Sequence, residues 1–153
     1  MLLEKDFPEG KHAQRFAVIS GTEIWLWKGY LRGIITLKGM NRKEMTGIFD
    51  RIYTGMAEIQ TGKPEPMLNI IAYSESGEWI IHILPRKLHR PAQFIREGSD
   101  KMLVSPASVD LGGVIITPRE EDFNHLNRER ITDIFTQVCF DENELIELVK
   151  RYL

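Results

Sequence analysis

The groups able to do chemistry are concentrated in one stretch, Glu78-Trp79-Ile80-Ile81-His82-Ile83-Leu84-Pro85-Arg86-Lys87-Leu88-His89-Arg90-Pro91. An apolar strand ending in Arg86, Lys87, His89 and Arg90 delivers four basic groups to one end of a sheet. That arrangement suits a phosphate, because arginine offers paired donors and lysine a point charge. The plain alternative is a solvated basic loop. His82 lies inside the apolar run, so a satisfied core histidine is expected first and a phosphate contact second. His82 and His89 are also candidates for a general acid or base, although no carboxylate partner can be assigned to either. Downstream, Ser105, Ser108 and Asp110 precede Gly112-Gly113. Turn and capping work is their first reading, and the glycines would let backbone approach a ligand. Ser105 and Asp110 therefore join Arg86, Lys87, His89 and Arg90 as the candidate nucleotide-binding set.

Several elements must position these groups. Short apolar runs punctuated by Gly21, Gly29 and Gly33 predict strands between Phe16 and Leu37, after a polar arm over residues 1–16. Asn41 to Gln60 predicts a helix: Asn41 caps it, Glu44 completes a capping-box-like pair, and Met45, Ile48, Phe49, Ile52, Met56 and Ile59 form one apolar stripe. Met67–Tyr73 and Glu78–Leu84 predict a central hairpin around Ser74-Glu75-Ser76-Gly77. The chain from Ala92 to Asp110 reads as irregular. Val114-Ile115-Ile116 predicts a further strand, with Thr117 capping a helix that opens at Pro118. Two more helices follow, the second opening at Asp141 with Glu144. Trp25, Trp27 and Trp79 are expected in the core, with stacking on a base as the lesser reading. The order of elements predicts an α+β fold, an antiparallel sheet covered by helices.

The chain has 153 residues, 42% of them hydrophobic and 27% charged, which fits one compact unit with a real core. Within it, residues 1–29 read as an arm with short strands and residues 30–153 as the α+β domain proper. The formal charge of -2 provides no global basic field, so no nucleic-acid partner is expected. The single cysteine, Cys139, excludes an intramolecular disulfide framework and a cysteine-based zinc cluster. Glu120, Glu121 and Asp122 have the carboxylate density of a metal site, but they fall in a helix's first turn, where the dipole accounts for them. No metal and no cofactor are expected. The N-terminus lacks the apolar core of a signal peptide, and no apolar run approaches the ~20 residues that span a bilayer. The expectation is a cytoplasmic protein with no membrane partner.

The segment His82-Ile83-Leu84-Pro85-Arg86-Lys87 resembles the end of the histidine-triad signature, in which a strand reads His-φ-His-φ-His-φ before a Pro-Arg-like exit. On this chain the third histidine falls on His82, the central nucleophilic one on Ile80 and the first on Glu78. Together with Leu103-Val104-Ser105-Pro106-Ala107 and Asp110 through Phe123, the ordered set resembles the C-terminal lobe of GDP-galactose phosphorylases and diadenosine tetraphosphate phosphorylases, also called ATP adenylyltransferases. The likeness covers about residues 30–152. It implies a histidine-triad-like fold, a nucleotide or nucleotide-sugar ligand, and a partner: a catalytic N-terminal lobe carrying His-x-His-x-Gln, or a second copy. No His-x-His occurs among His12, His82, His89 and His125. Isoleucine has no lone pair to attack phosphorus. The resemblance thus implies a lobe that supports the chemistry, binding nucleotide phosphate or serving a purely structural role. A stand-alone enzyme using His82 or His89 is the remaining alternative.

Overall fold

The computed structural model describes residues 12–153. Most of the arm read over residues 1–16 lies outside them, and its end is not an arm: Ala13–Ile19 forms β1. β2 (Thr22–Trp27) and β3 (Ile35–Gly39) follow, then α1 (Arg42–Ile59), β4 (Leu68–Glu75) and β5 (Glu78–Pro85). Next come α2 (Ala92–Ile95), a 3-10 turn (Gly98–Asp100), α3 (Ser108–Leu111), α4 (Glu120–His125), α5 (Arg128–Val138) and α6 (Glu142–Tyr152). Every strand pairing is antiparallel, in the order β1-β2-β3-β5-β4. The α+β reading is correct, but the β4–β5 hairpin is not central: β5 is interior, between β3 and β4, and β4 lies at an edge.

Two-residue turns close the β1–β2 and β4–β5 hairpins. Ile19 pairs with Thr22 and Glu75 with Glu78, so Ser20-Gly21 and Ser76-Gly77 are the loops. All four residues have positive φ, as the turn matching strand twist demands.

Alternation along the strands gives the sheet two apolar faces. One carries Ile24, Leu26, Ile35, Leu37 and Ile83 against Met45, Ile48, Ile52 and Met56 of α1 and Leu145, Leu148 and Val149 of α6. The other carries Trp27, Ile34, Ile80 and Leu84 against Leu111 of α3 and Phe135, Val138 and Cys139 around α5. Each of these fully buried aliphatic side chains contributes about 1.5–3 kcal/mol. Asn41 Oδ1 accepts from the amides of Lys43 and Glu44 and starts α1. Asp141 and Glu144 form the reciprocal capping box of α6.

Three expectations need correction. Val114–Ile116 forms no strand: Ile115 packs inward while Val114 and Ile116 stay outside, and the segment is held by Asp110 rather than by a ladder. β-branched composition fits an extended backbone but cannot supply a partner strand. Helix α4 opens at Glu120 behind Arg119, not at Pro118 behind Thr117. Trp79 is 46% exposed, whereas Trp27 is buried. Trp79 falls on the α1 face of β5, beyond the part that α1 covers.

Arg119 fixes α4 from its first turn. Its Nε and Nη2 donate to the two Asp122 carboxylate oxygens at 2.9 and 2.7 Å, and the Leu103 amide adds a bond at 3.1 Å. The bond from Arg119 first, and the Leu103 amide after it, hold the Asp122 carboxyl below the usual carboxylate range despite its burial. A depressed native pKa means stability that is present above the unfolded carboxylate pKa and lost as pH falls through it and below. Urea melts across that acid range should therefore show a steeper loss for the natural chain than for Asp122→Asn. Equal acid limbs would contradict the assignment.

Candidate functional site

β5 brings Glu78, Ile80, His82 and Leu84 to one face, because alternate residues share a side. Glu78 ends this row in an ion pair with Lys38 at 3.0 Å. Ile80 is 2% exposed and lies among Trp27, Phe135 and Val138. Ile80, on which the resemblance would put the nucleophile, is thus a packed part of the core, closed to an incoming phosphate.

His82 is fully buried, in register with Thr36 of β3 and Ile71 of β4. Its Nδ1 lies 2.7 Å from Thr36 Oγ1, which also accepts from Trp27 Nε1 at 2.9 Å. An indole can only donate, so Thr36 Oγ1 accepts from Trp27, and the imidazole tautomer sets the direction of the Thr36–His82 bond. The rings of Trp27 and Tyr73 flank it at 5.9 and 5.7 Å. Thr36→Val keeps the shape and removes both bonds at once, leaving buried polar groups behind. The expected cost is about 1–3 kcal/mol, read from the urea midpoint at constant m-value.

The backbone at the end of β5 is tied on several sides. Arg86 N–H donates to the Met67 carbonyl (2.9 Å), and Gln60 Nε2 donates to the Arg86 carbonyl (3.0 Å). On the other side Phe140 N–H donates to the Pro85 carbonyl (3.2 Å) and Lys87 N–H to that of Val138 (2.8 Å), with Arg86 bridged to Cys139. This anchoring turns the Arg86 side chain inward, where it is 5% exposed. Its Nη2 donates to the His89 carbonyl at 2.7 Å and Nη1 to Asn69 Oδ1 at 3.4 Å. Asn69 Nδ2 in turn donates to Ser108 Oγ at 3.0 Å, and Ser105 Oγ reaches the same His89 carbonyl at 3.5 Å.

Asp110, also buried, accepts from the amides of Ala107 and Ile116, both at 2.9 Å, and so shapes the loop around α3. A second buried arginine meets this loop from the sheet side. Arg32 Nη1 donates to the carbonyls of Leu111 (2.7 Å) and Asp110 (3.3 Å), and Nη2 to the Tyr30 hydroxyl (2.6 Å). Its guanidinium lies 4.7 Å from the Tyr30 ring centre and 5.3 Å from that of Phe135. The hydrogen-bond partners of both arginines are therefore neutral. Burial pulls the Arg86 pKa down, while Cys139 and Asp110 push it back up. Burial also lifts the Cys139 thiol to about 11, so it is uncharged at neutral pH and Asp110 remains as the compensating charge.

The six candidate binding residues thus separate into two groups. Arg86, Ser105, Asp110 and the His89 backbone belong to one internal network. Lys87 turns to Glu144 at 3.1 Å, and Arg90 stacks over Phe94 at 4.1 Å. The side chains of His89 and Arg90 are exposed, and that of Lys87 is half-buried. Sequence reasoning missed Arg32 and Asn69 as members of the network, and it singled out Ser108 beside Ser105 and Asp110 without adding it to the binding set. Arg32 carried a signal, a lone charge in the apolar run that leads into β3; Asn69, one polar residue at a strand start, carried almost none.

A family model described as GDPGP1-like, C-terminal domain, matches residues 20–152. The chain belongs to that family. The match covers β2 through α6 and leaves β1 outside. It supports the resemblance to the C-terminal lobe of GDP-galactose phosphorylase-like proteins, and identifies this GDPGP1-like domain as the C-terminal lobe of a phosphorylase-like protein. Comparison with curated proteins and with solved structures returned no significant match. Among the described residues no helix is long and apolar enough to cross a membrane.

Proposed function

We propose that this GDPGP1-like domain is a histidine-triad-like supporting lobe of a nucleotide phosphorylase or nucleotidyltransferase, without a nucleophile of its own, that holds nucleotide phosphate through the loop after β5. The observation that carries this reading is the Arg86 guanidinium on the His89 carbonyl at 2.7 Å. That bond fixes a tight loop in which the basic side chains of His89 and Arg90 face solvent at the end of the interior strand β5. Arg86 then positions the loop, and His89 and Arg90 meet the phosphate. Lys87 joins them once it leaves Glu144, an exchange of one partly exposed ion pair for another. With Ile80 packed in the core, bond breaking falls to a nucleophile-bearing lobe, and the setting is the cytoplasm.

Isothermal titration with GDP, ADP, ATP and diadenosine tetraphosphate tests the reading. Salt-sensitive binding is expected, weakened about tenfold or more by His89→Ala together with Arg90→Ala. Absence of heat with all four nucleotides would leave a purely structural lobe. Phosphorolysis of a nucleoside diphosphate sugar by the isolated chain, abolished by His89→Ala, would instead make it an enzyme in its own right.

A further inference from the structure

Helix α1 leaves part of the sheet beside it uncovered. Arg42, Thr46 and Phe49 recur at helical spacing and form one flank of α1. Facing them, Ile70 and Ala72 share one side of β4, because alternate residues do. Between the helix and the strand lies a groove of about 400 Å³, floored by Ile81 and bordered by Trp79. Its apolar rim is open to solvent: Ile70 is 43% exposed and Trp79 46%. The depth comes from a small residue. Ala72 is the register partner of Ile81, and a larger side chain at position 72 would fill the space beside the helix.

Charge is the second feature of this groove. Arg42 is the one charged residue on its border, and no carboxylate lines it. The residue is exposed, and among the described residues nothing takes up its guanidinium in a hydrogen bond or an ion pair. Arg42 is also the first residue of an 18-residue helix, where the dipole favours an anion. The lining thus has an unpaired cation at the start of its helical flank and aromatic and aliphatic side chains beyond it. That combination complements an acid with an apolar body.

Size selects the kind of occupant. The volume falls within the range of about 300–1,000 Å³ usual for small-molecule sites. The lining residues are far fewer than the roughly 20–30 that a stable protein interface uses on each side. Phe49 and Trp79 favour a flat ring system, since aromatic pairs gain beyond the area they bury.

We infer that the groove between α1 and β4 binds a small aromatic carboxylic acid, its ring system against Phe49, Trp79 and Ile81 and its carboxylate on the Arg42 guanidinium. Trp79 lies at the start of β5 and the basic loop follows the end of that strand, so this site is separate from the proposed nucleotide site.

Isothermal titration of the full chain with 2-naphthoate, 2-naphthalenemethanol and decanoate tests the inference. Naphthoate should saturate one site per chain, and the neutral alcohol should bind about tenfold or more weakly, the worth of a bond between charged groups. Arg42→Gln should reduce naphthoate to the level of the alcohol and leave the alcohol unchanged. Ala72→Phe should abolish binding of both; if that variant fails to fold, Thr46→Phe closes the groove from the exposed side of α1. Arg51→Gln, outside the groove on the same helix, should have no effect. Decanoate should bind more weakly than naphthoate, and GDP should not displace naphthoate.

A chain that shows no saturable heat with naphthoate overturns the inference, including one that instead buries the groove against another protein. So does naphthoate binding indifferent to Arg42→Gln or to the filled groove. Decanoate as tight as naphthoate would remove the aromatic assignment, and displacement by GDP would move the acid to the basic loop.

Discussion

Replacing Arg86 with alanine is expected to destabilise the fold by about 3 kcal/mol, measured as a fall in urea midpoint at constant m-value. Three effects enter. Removing a large buried side chain leaves a cavity, and truncations of this size cost about 2–5 kcal/mol. The His89 carbonyl and the Asn69 amide oxygen lose a charged donor, and bonds to charged groups contribute about 1.5–3 kcal/mol each. Against these stands the cost of keeping a cation among neutral partners, which its lowered pKa reflects and which the substitution relieves. Arg86→Met separates the contributions. It fills most of the space without the donors and should lose about 1–2 kcal/mol, a bond-sized cost with little cavity. Hydrogen exchange over residues 87–90 should quicken in both variants. An alanine variant as stable as the natural chain would mean that the guanidinium contributes no net stability, and the positioning role would fall with it.

Gly33→Ala should do comparable damage for a different reason. The backbone at Gly33 needs no left-handed conformation, but the glycine lies against another part of the chain. A β-carbon there would sit 2.3 Å from the Phe140 carbonyl oxygen and 3.0 Å from both the Phe140 carbonyl carbon and Leu145 Cδ1. The nearest atom is backbone, so no rotamer change clears it. The same oxygen accepts the Gly33 N–H at 3.0 Å, and the methyl group must push that bond apart. A loss of about 3 kcal/mol is expected, at the upper end of overpacking costs. Gly47 is the control: it lies inside α1 with no atom within 4 Å of a built β-carbon. Gly47→Ala should stabilise the protein by about 0.5–1 kcal/mol. Opposite signs from one chemical change, read by thermal or urea melts, would confirm that the contact at residue 140 is responsible.

What the sequence made legible was mostly periodic or local. The α1 stripe, the Asp141–Glu144 box and the hairpin around Ser76-Gly77 each depend on residues within a few positions of one another, so each could be read from spacing. The α+β architecture followed from their order. Val114–Ile116 failed because β-branched residues report an extended backbone and say nothing about a neighbouring strand. Trp79 failed for a related reason: β5 has a strand on either side, yet α1 does not reach across its far end.

The candidate site shows the same division. The basic run was visible, but which way each side chain turns depends on contacts far away in sequence. Arg86 points inward because residues 67 and 138–140 grip its backbone, and Lys87 leans to Glu144 in α6. Arg32 and Asp110 are 78 positions apart and meet through a backbone carbonyl that no pattern announces.

The short run from Val138 to Phe140 has a consequence for how the chain comes into being. It bonds to the turn before β3 at Gly33 and to the end of β5 at Pro85 and Lys87. All five strands are complete by residue 85, yet two of their ends take further backbone bonds from residues more than 50 positions later. During synthesis the sheet would therefore emerge with one apolar face wet and the other covered only by α1, since Phe135, Leu145 and Leu148 have still to be made. Such a chain can hold local hairpins and α1, but it cannot seal its interior until its last turns leave the ribosome. Clipping the chain before Val138 should consequently abolish cooperative melting altogether, an effect far beyond trimming a surface helix.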